Sequence, residues 1–160
     1  MGIQMATPLS EVDRILYKSF EILKNEISNS LAKLGVECIA KIRDRSGDES
    51  WYDHSGNLRS SIGFAVYDHG VKLMQSAFKT VLQGSEGSVE GQKMISQLGR
   101  EYSSAYALVV VAGMNYASYV EALENKDVLA STELWAKSIV DARLEMAKKA
   151  AIEKINKLFS

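Results

Sequence analysis

Two Asp-His pairs, Asp53-His54 and Asp68-His69, hold both histidines of the chain. A carboxylate beside an imidazole can orient a general base. Two such pairs raise a small hydrolase or nuclease, with a nucleophile from Ser55, Ser60 or Ser61, or with a shared metal ion. Adjacency in sequence does not make a triad, which geometry defines, and no Gly-x-Ser-x-Gly elbow is present. The pairs flank a predicted strand, so its extended length separates them. The tight His/Cys spacing of structural zinc and the His-Glu-x-x-His pattern are also missing. Gly84, Gly87 and Gly91 lack the Lys-Ser/Thr of a phosphate loop. Glu121 and Glu124 read as solvated acids on a helix surface. The sequence therefore assigns no catalytic residue, no cofactor and no metal.

The elements that must position these residues follow from hydropathy patterning. Val12, Leu16, Phe20, Leu23, Ile27, Leu31, Leu34, Cys38 and Ile42 recur at three- and four-residue steps. That spacing predicts one long helix over residues 10–45, capped by Ser10, with Gly35 a kink or a join. A stripe this long exceeds what a small sheet covers, so the helix must meet other helices or another subunit. Residues 61–67 and 71–78 alternate and read as a hairpin turned at Asp68-His69-Gly70, its first strand half-buried. Residues 106–114 are nearly all apolar, which predicts a central strand covered on both faces. Residues 82–92, with three glycines and two serines, read as a flexible loop. A short helix over residues 115–124 is expected to start at Asn115. Residues 127–131 read as an edge strand or connector. A last helix runs to about Leu158 from a Ser131 or Thr132 cap, with one apolar line through Trp135, Ile139, Ala142, Met146 and Ala150 and a second through Leu144, Ala147, Ala151, Ile155 and Leu158.

The fold class is α+β: an antiparallel sheet with a long helix from each end of the chain packed on one side. The 160 residues fit a single domain, with residues 1–9 as a flexible tail. A formal net charge of −1 and balanced acids and bases disfavour a dedicated nucleic-acid binder. The one cysteine, Cys38, excludes an internal disulfide and sits on the helix stripe, where a buried, inert thiol is expected. No signal peptide or membrane-length apolar run is read, and Met1-Gly2 lacks the Ser/Thr of a myristoylation signal.

Two segments resemble one family. Ser55, Gly56, Leu58, Ser61 and Ile62 match a Thr/Ser-Gly-x-Leu-x-x-Ser-Ile signature, and Tyr116, Ala117, Val120 and Glu121 match a Tyr-Ala-x-x-Val/Ile-Glu signature. Both occur in minor tail components of long-tailed DNA phages, and the chain resembles their tail-completion, or head–tail joining, proteins. Where family members continue with x-Gly-Thr, Glu121 is followed by Ala-Leu-Glu-Asn. The resemblance implies a phage or prophage origin, no enzymatic activity and ring assembly at the neck. The partners would be further copies and neighbouring neck or tail proteins, without a small-molecule substrate, membrane or specific nucleic acid. The location would be the virion, after assembly in the host bacterial cytoplasm. Under this reading Gly56 makes a positive-φ turn held by Ser55 and Asn57, and Leu58 and Ile62 enter the core. Trp51, Arg59 and Tyr119 are candidate interface residues, and the first helix and the 82–92 loop are expected to meet neighbours. The Asp53/His54 and Asp68/His69 hydrolase is the alternative. A regulatory module that dimerises through its long helices is a third reading.

Overall fold

A computed structural model describes residues 8–44, 53–122 and 127–159. The first element, α1 (Leu9–Arg43), has 35 residues and is about 52 Å long. Pro8, not Ser10, stands at its start, and the Pro8 carbonyl accepts the N–H groups of Glu11 and Val12 at 2.9 and 3.2 Å. Proline suits this place because its φ is already helical. Gly35 neither ends nor divides α1. It is buried, and a Cβ there would lie 2.6 Å from the Phe64 ring, so this glycine lets a strand side chain approach the helix.

A one-turn helix, α2 (Asn57–Ser60), leads into β1 (Ile62–Asp68), β2 (Val71–Gln75), α3 (Ser85–Leu98), β3 (Tyr106–Ala112), α4 (Ala117–Ala122) and α5 (Ala130–Asn156). The sheet is antiparallel in the order β2-β1-β3. The α+β class and the hairpin are as expected, and the turn places His69 and Gly70 at φ 48° and 82°, the mirror-image geometry that suits a tight hairpin. The strand roles differ from the sequence reading. β1, expected to be half-buried, is central and dry on both faces, while β3, expected to be central, lies at an edge.

Three apolar clusters explain this. On one face, Phe64 and Val66 pack with Leu31, Ile27 and Ile39 of α1 and with Val140 and Leu144 of α5. On the other, Ala65 and Tyr67 join Val109, Val111, Phe78 and Ile95 of α3, and the Tyr67 hydroxyl donates to the Ile95 carbonyl at 2.7 Å. At the sheet end, Ile42, Leu58, Ile62, Ala112, Met114, Ala117 and Val128 close a third cluster. The two long helices share one face, as expected, and α3 covers the other.

The expected flexible loop over residues 82–92 is mostly helix. Its glycines mark close approach rather than freedom. A Cβ on Gly87 would lie 1.9 Å from the Asn57 carbonyl oxygen, and one on Gly91 would lie 2.4 Å from the Phe78 ring. The local helix cost of Gly87 and Gly91 is outweighed by letting α3 lie against α2 and the sheet.

α4 begins at Ala117, two residues after the expected Asn115 cap. Residues 127–131 form no strand. Asp127 accepts the Ser131 N–H at 3.1 Å and supplies the start signal assigned to Ser131 or Thr132. α5 runs antiparallel to α1, tied by Arg143 to Glu37 at 2.8 Å, by Lys154 to Glu26 and by Lys41 over the Trp135 ring at 4.5 Å. Of its two expected apolar lines, the second is buried at Ala147 and Ala151, while Ala142 and Met146 of the first are exposed.

Gly113→Ala tests this packing. A Cβ there would lie 2.5 Å from both Cα and N of Gly91, so backbone must shift. The substitution is expected to cost about 2 kcal/mol, read as a lowered denaturation midpoint with unchanged slope.

Candidate functional site

The turn before β1 is built by Asp53. Its Oδ1 accepts the Gly56 N–H at 3.0 Å and its Oδ2 accepts the Arg59 N–H at 2.8 Å. The carboxylate thus caps α2 as an acidic residue caps a longer helix. Gly56 takes φ 79°, as expected from the turn, and a Cβ there would lie 2.0 Å from the Val81 carbonyl oxygen. Ser55 Oγ accepts the Asn57 N–H at 3.2 Å. Asn57 acts elsewhere: its Oδ1 accepts the Gly87 N–H at 3.1 Å and its amide donates to Glu86 at 3.3 Å, joining α2 to α3. Leu58, Ser61 and Ile62 are buried, and the Ser61 hydroxyl donates to the Leu58 carbonyl at 2.8 Å.

The two signature segments meet in space. Tyr116 packs against the cluster that holds Leu58, Ile62 and Ala117. Burial, then the Asp53 charge, raise the Tyr116 phenol above its ordinary value, and the Ser55 contact opposes them. The Gly113 N–H donates to the Ser61 carbonyl at 3.1 Å, a backbone tie between the segments. The side chains of Tyr119, Val120 and Glu121, and Trp51 altogether, lie outside the described residues.

Arg59, expected to face outward for a neighbour, is half-buried and turned inward. Its Nη1 donates to the Arg43 carbonyl at 2.5 Å, at the end of α1 where unpaired carbonyls and the helix dipole attract a cation. Arg43 donates in turn to the Ile62 carbonyl at 2.8 Å. Burial, then the Arg59 charge, lower the Arg43 pKa, and Asp44 opposes them.

The second Asp-His pair lies at the far end of β1, about 20 Å along an extended strand from the first. His69 Nδ1 is 2.6 Å from Asp68 Oδ1, and Lys24 of α1 is 3.0 Å from Asp68 Oδ2. The His69 ring meets Tyr106 edge-on at 5.8 Å between centroids. The His69 contact, then Lys24, hold the Asp68 carboxyl below its ordinary pKa. This group fastens the hairpin tip to α1. His54 is exposed beside the other turn. The structure therefore does not bring the four residues into one centre. Among the described residues, no group of three or more His, Cys, Asp or Glu is placed to hold a metal ion. Cys38 is buried, and desolvation, then Glu37, push its thiol pKa up.

One concavity was not foreseen. An open apolar groove of about 920 Å³ runs between α1, α5 and β3. Leu23, Ile27, Leu31, Leu34, Cys38 and Ile42 form its floor. Leu108 and Val110 stand on the β3 side, and Ala136, Val140 and Leu144 on the α5 side. Such a groove fits an apolar side-chain row or helix face better than a charged reactant. It lies where the edge of β3 is unpaired in the sheet. Its signal in the sequence was the length of the α1 stripe. Among the described residues, no helix is long and apolar enough to cross a membrane.

Asp53→Ala removes a carboxylate that accepts two backbone N–H groups and is expected to lower stability by about 1–2 kcal/mol in a denaturant titration. Asp68→Asn is expected to show a pH signature. The folded-state pKa of Asp68 is depressed, so its contribution is present above the ordinary aspartate value of about 3.9 and lost as pH falls through the folded value. The stability gap between wild type and variant is expected at pH 7 and should close on acidification below about pH 4. A pH-independent gap would assign Asp68 a steric role instead. Comparison of the chain with family models, with curated proteins and with solved structures gives no match.

Proposed function

We propose that this chain is a non-enzymatic structural protein of the neck or tail of a long-tailed DNA phage or prophage. It joins or completes the tail by ring assembly, through contacts with its own copies and with neighbouring neck or tail proteins. It would be assembled in the host bacterial cytoplasm and carried in the virion. The observation that carries this reading is the meeting of the two signature segments. Leu58 and Ile62 from one, and Tyr116 and Ala117 from the other, build a single structural unit. Residues that resemble one family in two separate places also serve one local structure, which supports a shared origin over coincidence. The apolar groove and the projecting start of α1 supply surface for subunit contacts.

The hydrolase reading has one contact in its favour, the Asp68–His69 pair at 2.6 Å. Against it stands the separation of the two pairs along β1. Esterase or phosphodiesterase activity that disappears in a folded His69→Ala variant would replace the structural reading.

Deleting the gene from an inducible phage is the direct test. Electron microscopy is expected to show filled heads and separate tails. Intact tailed particles of normal infectivity would sink the neck reading.

A further inference from the structure

The two edges of the sheet are built differently. At one edge, β2 has five residues, carries Lys72 and meets β1 through a register shift between Val66 and Tyr67. A short strand, a lysine and a bulge are devices that stop an edge from pairing with another chain. At the other edge, β3 has none of them. Its seven residues include no charge, proline or glycine, and it pairs with β1 from Ile62–Ala112 to Asp68–Tyr106 without a shift. Its outer backbone groups are also unused. The Gly113 N–H donates to the Ser61 carbonyl at 3.1 Å, and the His69 N–H donates to the Ala105 carbonyl at 3.0 Å. An antiparallel ladder alternates, so the odd-numbered residues of β3 turn their N–H and C=O groups toward β1. Tyr106, Leu108, Val110 and Ala112 turn theirs outward, and among the described residues no hydrogen bond reaches those groups. The apolar groove bends around this edge. Leu108 and Val110 line it from the α1 face, and Val109 and Leu98 line it from the α3 face. The space beside β3 therefore lies open at the level of the sheet, where an added strand would sit.

A second copy of β3 suits that space. When β3 lies antiparallel to its copy about a two-fold axis through Val109, Tyr106 faces Ala112 and Leu108 faces Val110. Every outward residue is then paired, with about eight hydrogen bonds across the contact. Leu108 and Val110 of both copies lie side by side, and two open grooves become one apolar layer between α5 and its copy. The charges at the groove mouth obey the same axis. Val140 and Leu144 of α5 pack at the level of Leu108 and Val110, around Phe64 and Val66. An axis at that level, between Val140 and Asp141, sets Glu133 opposite Lys148 and Lys137 opposite Glu145 of the copy. All four side chains line the mouth. Within one chain they pair as Glu133–Lys137 at 2.5 Å and Glu145–Lys148 at 3.7 Å, on exposed side chains that two copies can share. Asp141 is exposed and is not among the lining residues. Backbone bonding alone would accept any strand, whereas this order of charges is self-complementary.

We propose that the chain forms a two-fold dimer by antiparallel pairing of β3 with β3 of a second copy, which joins the two sheets into one. The inference concerns the chain alone and does not rest on the neck reading.

Analytical ultracentrifugation of the full chain at micromolar concentration is expected to give a dimer. Amide hydrogen exchange read residue by residue is expected to show Leu108 and Val110 slowed by about 100-fold or more in the dimer. Dilution to the monomer should remove that protection, while Val109 and Val111, bonded to β1, keep theirs. Val110→Pro removes an outward N–H and leaves the ladder to β1 intact. It is expected to weaken dimerisation by about 100-fold with circular dichroism unchanged. A monomeric wild-type chain overturns the proposal. So does a dimer in which Leu108 and Val110 exchange as free amides, or one that a folded Val110→Pro variant leaves intact. If the proline variant fails to fold, the exchange at Leu108 and Val110 decides alone. Normal particles in the gene deletion would remove the neck reading and leave this result standing.

Discussion

Burying both faces of β1 is costly for a sheet of only three strands, because neither face can be covered by the sheet itself. Phe64 and Val66 need α1 on one side, while Ala65 and Tyr67 need α3 on the other. The order β2-β1-β3 follows, since only the middle strand is shielded along both edges. Side-chain size then sets the spacing of the layers. Gly63 admits the Phe78 ring, Gly35 admits the Phe64 ring and Gly91 approaches Gly113. The two faces of the strand itself differ: Phe64 and Val66 point toward α1, while Gly63 and Ala65 join Tyr67 on the side of α3.

That asymmetry explains which parts of the fold were legible in the sequence. The α1 stripe was visible because nine apolar residues repeat over many turns, and the hairpin because Asp68-His69-Gly70 interrupts two alternating runs. The centrality of β1 was hidden. Gly63 and Ala65 on its second face look like the open side of a half-buried strand, whereas residues 107–112 show an unbroken apolar run. Hydrophobic content ranks side chains and does not register that a small residue can be buried by close approach. The same blindness made α3 look like a loop. Gly87 and Gly91 lower local helix propensity, and only the positions of Asn57, Ser61 and Phe78 show why they are needed.

The candidate site was legible at the level of the turn and less so at the level of individual roles. Gly56, Ser55, Leu58 and Ile62 do what turn chemistry implies. Asp53 was read as a potential catalyst because it precedes a histidine, yet its oxygens point at backbone N–H groups three and six residues on. A short acidic side chain ahead of a glycine turn finds such donors without help from the rest of the fold. Arg59 was read as facing outward, free for a neighbour. The pull on it comes from the end of α1, which is distant in sequence and invisible to local periodicity.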